Sequence, residues 1–164
     1  MKKSVLTVAG YRTRSDMPEQ DHLASIIMAF DFGTQKMGIA VGQRLIESIN
    51  PLPLFPMKDG IPNWDNLHKI IQQWQPDLFL VGLPLNMDDS ESDLSARARK
   101  FARRLRHQTN IATWMVDERL STREARDTLQ NFQAKGQAKK LSADSFAASL
   151  FIESWYHDAQ GIQP

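Results

Sequence analysis

The chain of 164 residues has no cysteine, which excludes disulfides, thiolate metal sites and cysteine nucleophiles. It also has no excess of either charge, with 20 basic against 19 acidic residues, so a polyanion must be bound by a local basic surface. The four histidines lack metal-site spacing. No apolar run reaches the roughly 20 residues of a membrane span, and the first residues lack the apolar core of a secretory signal. We therefore expect a cytoplasmic protein without a membrane partner.

The length and the hydrophobic pattern favour a single compact domain. Residues 1–24 are polar and have no apolar period, which predicts a flexible N-terminal extension. The folded domain is predicted over residues 25–158, followed by a C-terminal tail at 159–164. One domain makes one functional site the economical assumption.

The order of the apolar segments predicts strands first, and then strands alternating with helices. Residues 26–31 and 37–41 are typical of an antiparallel hairpin, with a third strand near 44–50. The run at 78–83 is apolar on both faces and the run at 111–116 alternates, as in the parallel strands of βα units. We predict an α/β fold with a mixed five-stranded sheet, antiparallel in its opening strands and parallel afterwards, flanked by helices.

Segments with helical periodicity lie between the later strands and after them. The first two predicted helices cover residues 64–74 and 94–105. A capping box at 121–124 predicts a third, and Ser142 can cap a final helix. Four tryptophans lie in these apolar patterns, which predicts core positions for them.

Three acids stand where packing alone would not select them. Asp31 interrupts an apolar strand, Glu118 follows the strand at 111–116, and Asp144 starts the final helix in line with apolar neighbours. A buried carboxylate needs a cation, a bound phosphate group or a hydrogen-bond network, and strand ends line the crevice of open α/β sheets. Three carboxylates without His or Cys suit Mg²⁺ or Mn²⁺. A pair of such ions would stabilise the attacking and leaving oxygens of phosphodiester cleavage.

Each acid also has a purely structural interpretation. Asp144 would complement the dipole of its helix, and Glu118 would form a surface pair with Arg119 or Arg123. Asp117 would be an ordinary strand-end residue, or would contact and orient the residues of the site without binding metal itself. The coincidence of three such acids favours a functional site.

Four motifs, in chain order, resemble the YqgF family: Asp31-Phe32-Gly33-Thr34 with Gly38, then residues 81–88, residues 117–122, and Asp144-Ser145 with Ala147-Ala148. The resemblance implies an RNase H-like fold with Asp31 on the central strand. It implies a catalytic triad of Asp31, Glu118 and Asp144. It also implies that the protein is a Holliday junction resolvase or a nuclease that matures the 5′ end of pre-16S ribosomal RNA. One departure is Asp89, which stands where the family pattern has glycine and would strain a turn that needs positive φ.

Basic and polar residues supply candidate contacts to nucleic acid, and phosphate contacts of this kind position a substrate without reading its sequence. The arginines among them that share one helix lie opposite its apolar stripe, which is also typical of an ordinary solvated face. Three lysines precede Asp144 in a basic loop at 133–141. The candidates are Lys36, Asn86, Ser90, Arg99, Arg103, Arg106, Arg119, Lys135, Lys139 and Lys140.

Together these features predict a metal-dependent endonuclease that acts on structured RNA such as pre-16S rRNA, or on branched DNA, and they leave a homodimer open. Two alternatives remain. The segment at 31–34 also resembles the phosphate-binding hairpin of sugar kinases and actin-like ATPases, which predicts a phosphate- or nucleotide-binding protein. The acids could instead hold metal without turnover in a ribosome-associated, nucleic-acid-binding module.

Overall fold

The computed structural model describes residues 8–120, 127, 131 and 143–164. In residues 8–120 and 143–164, four α-helices accompany one mixed sheet. The helices are α1 (Glu19–His22), α2 (Trp64–Trp74), α3 (Asp93–Thr109) and α4 (Ala143–His157). The strands are β1 (Tyr11–Arg12), β2 (Ile26–Asp31), β3 (Lys36–Gln43), β4 (Ser48–Pro51), β5 (Phe55–Lys58), β6 (Ile61–Pro62), β7 (Leu78–Leu83), β8 (Ala112–Asp117) and β9 (Gly161–Ile162).

The sheet has the order β1-β9-β8-β7-β2-β3-β5-β6, with β4 paired to β3 beside this path. β2 and β3 form the predicted antiparallel hairpin, and β2, β7 and β8 run parallel. The α/β class with a mixed sheet is confirmed, and the five predicted strands correspond to β2, β3, β4, β7 and β8. Four short strands raise the described total from five to nine. Residues 44–46 form a 3₁₀ turn instead of strand, which ends at Glu47 with a φ of 49°.

Strand alternation divides the core into two layers on opposite faces of the sheet. The layer under α2 and α3 holds large side chains, and the Phe30 ring centroid lies 5.6 Å from the centroids of both Phe79 and Phe101. The layer under α4 includes small strand residues such as Ala29 and Ala40. Small residues on this face let α4 lie close to β2 and β3.

Side chains and left-handed residues set the ends of α2 and α3. Asn63 caps α2 by accepting a hydrogen bond from the Asn66 amide at 3.1 Å, and Ser92 caps α3 by accepting one from the Ser95 amide at 3.3 Å. Gln75 and Asn110 end the two helices with φ values of 48° and 57°. The helices therefore begin and end close to their predicted bounds.

The predicted C-terminal tail is part of the sheet. Gly161 and Ile162 form β9, which pairs with β8 through Met115 and with β1 on its other side. Ile162 is only 1% exposed and belongs to the core under α2 and α3. A two-residue strand gives too short a pattern to recognise in sequence.

Residues 8–24, predicted to be a flexible extension, also pack against the domain. Met17 is buried, and the buried Asp21 accepts a hydrogen bond from the Trp114 indole N–H at 3.0 Å. The Asp21 carbonyl accepts a second one from the Trp155 indole N–H at 3.3 Å. The prediction was wrong here because the attachment combines polar contacts to two indoles with the isolated apolar residues Met17 and Ala24, which give no hydrophobic period.

Some predictions lie outside the described residues: the capping box at 121–124, the third helix, the basic loop at 133–141 with Lys135, Lys139 and Lys140, and the Ser142 cap. Trp114 and Trp155 are buried as predicted, and Trp64 and Trp74 are partly buried against the core. Among the described helices, none is long and apolar enough to cross a membrane.

Candidate active site

The carboxyl ends of β2, β7 and β8 form one edge of the sheet, which we call the acidic edge. Asp31 is the last residue of β2, so it lies at a strand end rather than in mid-strand. In the register of β7 and β8, Leu83 is opposite Asp117, and Glu118 follows in a short 3₁₀ turn. Parallel strands thus bring Asp31 and Glu118 to the same edge, as the sequence predicted.

A glycine in β7 lets Glu118 reach toward Asp31 across the intervening strand. A Cβ atom on Gly82 would lie 2.7 Å from the Glu118 Oε1 atom and 2.7 Å from the Phe151 ring. Any side chain at position 82 would therefore displace the carboxylate or α4. The pattern of residues 78–83 indicates a buried strand, but it does not reveal that Gly82 makes room for an acid from β8.

A second glycine, Gly38, leaves room for the start of α4. Gly38 of β3 is the cross-strand partner of Asp31, and a Cβ atom on Gly38 would lie 2.2 Å from the Asp144 carbonyl oxygen. The first turn of α4 therefore lies against the backbone of β3, beside Asp31. Lys36 Nζ lies 3.4 Å from the Asp144 Oδ2 atom.

Burial and nearby charges raise the pKa values of Asp31 and Glu118. Burial is the largest cause that raises the pKa of Asp31, and the charges of Glu118 and Asp144 add to it, so that the pKa reaches about 7. Burial and the charge of Asp117 raise the pKa of Glu118. A hydrogen bond between the two carboxyl groups further raises the pKa of Asp31 and lowers that of Glu118. The acidic edge therefore concentrates negative charge that a cation would neutralise.

The donor chemistry of this edge fits a hard divalent cation, because the charges of Glu118 and Asp144 raise the pKa of the half-buried Asp31 and the described part of the edge offers neither His nor Cys. Among the described residues, no three His, Cys, Asp or Glu side chains already stand as a ready set of metal ligands. Asp144 pairs with Lys36. A complete set would therefore require the Asp144 carboxylate to turn from Lys36 toward the other two acids.

The raised pKa of Asp31 predicts that folding stability depends on pH when no divalent cation is added. Between the ordinary carboxyl pKa of 3.8 and about 7, the folded state binds more protons than the unfolded state. The free energy of unfolding should therefore fall as pH rises through this window and then level off. Urea denaturation at several pH values in EDTA measures the effect, and Asp31→Asn should flatten the curve. A curve of the same slope in Asp31→Asn would assign the pH dependence to other groups.

Arg119, a predicted nucleic-acid contact, instead bonds within the protein. Its Nε and Nη2 atoms donate to the Asp117 carboxylate, Nη1 donates to the Asn86 carbonyl at 2.8 Å, and Nη2 also donates to Asp89 Oδ1 at 2.6 Å. These ion pairs raise the pKa of Arg119 above its ordinary value. Asp117 itself is 6% exposed, so its charge is neutralised inside the protein.

Asp89 confirms the strained turn that its place in the family pattern implied. Its φ is 66°, in the left-handed region where glycine is favoured. Asp tolerates this region better than most residues, and its carboxylate binds Arg119. The side chain thus adds an ion pair that a glycine could not make.

Asn86 and Ser90 are also engaged within their loop, where Asn86 Nδ2 donates to Ser90 Oγ at 2.9 Å and the Ser90 hydroxyl donates to Asp88. Arg99 pairs with Glu91 and donates to the Gln163 carbonyl at 2.9 Å, and its side chain is only 16% exposed. Sequence reasoning did not detect these contacts, because they depend on how the loop at 84–91 folds back onto β8 and α3.

Arg103 and Arg106 are exposed, but they lie far along α3 from the acidic edge. The helix starts beyond β7 and ends at Thr109, just before β8 begins, so it runs from the acidic edge to the opposite edge of the sheet. At 1.5 Å per residue, Arg106 lies about 20 Å along the axis from the first residue of α3.

Known proteins resemble this chain over most of its length. A family model described as "RuvX: Holliday junction resolvase" matches residues 25–158. A protein of Acinetobacter baylyi named "Putative pre-16S rRNA nuclease" is 76% identical over 139 residues, which cover 85% of this chain and 95% of the relative. A relative with the same name in Haemophilus ducreyi is 48% identical over 134 residues, covering 82% of this chain and 97% of its own.

The fold also has counterparts among solved structures. RuvC of Thermus thermophilus in complex with a Holliday junction substrate superposes with a TM-score of 0.55 at 9% identity, over 80% of this chain and 94% of that one. At this identity the likeness shows the fold alone, and it confirms the expected RNase H-like architecture. The matched family model and the two relatives show more: the chain belongs to the RuvX (YqgF) family of Holliday junction resolvases, the family that its motifs resemble.

Proposed function

We propose that this protein is a metal-dependent endonuclease that cleaves phosphodiester bonds in precursor 16S ribosomal RNA, with branched DNA as a second candidate substrate. The observation that carries the proposal is the position of Asp31, Glu118 and the start of α4, which bears Asp144, at one edge of an RNase H-like sheet. The names of the relatives and the family model favour a nuclease over the nucleotide-binding and non-catalytic alternatives.

The three acids would hold Mg²⁺ or Mn²⁺, and a pair of these ions would activate a water molecule and stabilise the leaving oxygen. Asp31 and Glu118 would both be ionised with a metal bound, since a divalent charge favours the ionised form of both. Lys36, released from Asp144, would be free to meet a substrate phosphate at the acidic edge.

The exposed arginines of α3 would bind the substrate away from the cleavage point. Arg103 and Arg106 lie on the part of the helix that leads to the opposite edge of the sheet. Contacts there require a substrate that extends about 20 Å from the acidic edge. Arg99 is excluded from this surface by its contacts with Glu91 and Gln163.

This arrangement predicts a change in the salt dependence of binding. The double variant Arg103→Ala/Arg106→Ala should lower the slope of log K against log salt by up to about two, because each lost phosphate contact removes about one unit. Fluorescence anisotropy with labelled RNA measures the slope, and kcat at saturating substrate should survive. The matched control is Arg12→Ala/Arg14→Ala, which also removes two exposed positive charges. An unchanged slope in the α3 variant would make this helix an ordinary solvated face.

Cleavage assays test the proposal directly. The purified chain with Mn²⁺ should cut precursor 16S rRNA at its 5′ side and leave mature 16S rRNA intact. Four-way junction DNA in parallel reactions decides between the two substrate classes. Absence of cleavage on both substrates, together with tight RNA binding, would support the non-catalytic module instead. ATP hydrolysis by the chain would support the nucleotide-binding alternative.

A further inference from the structure

We propose that Arg119 is a positioning residue for Glu118: it locks the loop at 84–91 to the end of β8 and so fixes the turn from which the Glu118 carboxylate projects. The inference rests on the proposed nuclease function, within which it assigns a task to a residue that the sequence suggested as a phosphate contact. Asp117 and Asp89 are the two carboxylates that Arg119 holds together.

The geometry of Arg119 leaves little capacity for a substrate phosphate. Nε and Nη2 form a fork with Asp117, at 3.0 and 2.9 Å from its Oδ1 and Oδ2 atoms. Nη1 and Nη2 reach the loop at the Asn86 carbonyl and at Asp89. The guanidinium therefore joins two segments that come from different strands.

We call the contacts of Arg119 with Asp117, Asn86 and Asp89 the Arg119 clamp. The backbone around Arg119 connects this clamp to the catalytic acid Glu118. The Arg119 amide donates to Asp117 Oδ1 at 2.9 Å, which closes a tight turn around Glu118. Asp117 continues the side-chain alternation of β8 on the α3 face, where Met115 lies. Glu118 follows in the 3₁₀ turn, and its Oε1 atom lies beside Gly82 and the Phe151 ring on the α4 face, toward Asp31. The clamp thus acts on one side of the sheet and orients a carboxylate on the other.

The loop at 84–91 is held by hydrogen bonds within itself and by contacts with Arg119. The Asn86 amide donates to the Ser90 carbonyl at 2.9 Å, and the Asp89 amide donates to the Asn86 carbonyl at 2.9 Å. Met87, at the tip, is 92% exposed and contributes no burial that would hold the loop down. Leu85 packs against the core at the start of the loop, and the polar contacts of Arg119 attach Asn86 and Asp89 to the end of β8.

The test compares Arg119→Lys, Arg119→Gln and Asp89→Asn with the control Arg12→Gln, which removes an exposed arginine that donates to the Tyr11 carbonyl. Lys keeps the charge but cannot form the fork. We expect both Arg119 variants to lower kcat about 10- to 100-fold, as loss of a residue that orients a metal ligand typically does, with KM changed by less than about threefold. Asp89→Asn should have a smaller effect in the same direction.

Hydrogen exchange supplies a readout that does not depend on activity. Loop amides at 86–91 should exchange at least about tenfold faster in the Arg119 variants, while core amides of β2 and β7 keep their protection. A raised KM with unchanged kcat would overturn the proposal and restore Arg119 as a phosphate contact. Faster exchange throughout the protein would reduce Arg119 to a general stability role. If wild-type protein shows no cleavage, the proposed function fails together with the catalytic task of Arg119, whereas the exchange data still decide whether the clamp exists.

Discussion

Asp31→Asn should abolish metal-dependent cleavage, with kcat lower by about 10³-fold or more. The substitution keeps the size of the side chain and removes one charged ligand, and loss of several kcal/mol of transition-state stabilisation corresponds to about this factor. Single-turnover cleavage of precursor 16S rRNA in Mn²⁺ measures the rate. Wild-type cleavage by Asp31→Asn would show that the acidic edge is not the active site.

Measurements of stability distinguish the loss of a metal ligand from misfolding of the variant. At pH 8 Asp31 is above its pKa of about 7 and is ionised beside Glu118 and Asp144, so replacing it by a neutral amide removes charge repulsion. In EDTA at pH 8 we expect Asp31→Asn to be at least as stable as wild type. Divalent cations should raise the melting temperature of wild-type protein more than that of the variant. A destabilised variant would mean that the loss of cleavage reports on folding.

Deletion of residues 1–24 should lower the melting temperature by about 10 °C or more. The deletion leaves the Trp114 and Trp155 indole N–H groups without their Asp21 acceptors and uncovers the surface on which Met17 packs. Loss of a hydrogen-bond acceptor lowers the free energy of unfolding by about 1–3 kcal/mol, and exposure of a Met side chain lowers it by a similar amount. In a domain of this size each kcal/mol lowers the melting temperature by about 2–4 °C. Differential scanning fluorimetry measures the shift.

Point variants assign this loss to the indole contacts. Asp21→Ala should account for part of it, whereas Asp21→Asn keeps an acceptor oxygen for Trp114 and should cost less. Asp16→Asn is the control, because Asp16 is exposed and bonds only locally to Thr13. Trp155 lies about three helical turns from Asp144, so the truncated protein should still cleave at low temperature. A melting temperature unchanged by the deletion would show that residues 8–24 add no stability.

The sequence by itself determined the class of the sheet and the identity of the acids. Local periods of two and 3.6 residues are set by neighbours along the chain, so β2, β7, β8 and the helices α2 and α3 could be predicted from them. Asp31, Glu118 and Asp144 stood out because each breaks or ends an apolar pattern that packing alone would continue. The four motifs then indicated the family.

Only the tertiary structure decided which polar residues serve the site and which hold the fold. Asp117 and Glu118 are adjacent in sequence, and their opposite faces follow from the way β8 lies between α3 and α4. Arg119 and Arg99 resemble phosphate ligands in sequence, yet Arg119 also binds the Asn86 carbonyl and Arg99 the Gln163 carbonyl, which lie far from them along the chain. Asp21 lies 93 residues from Trp114 along the chain. Contacts over such separations depend on the packing of whole elements, so no local pattern encodes them.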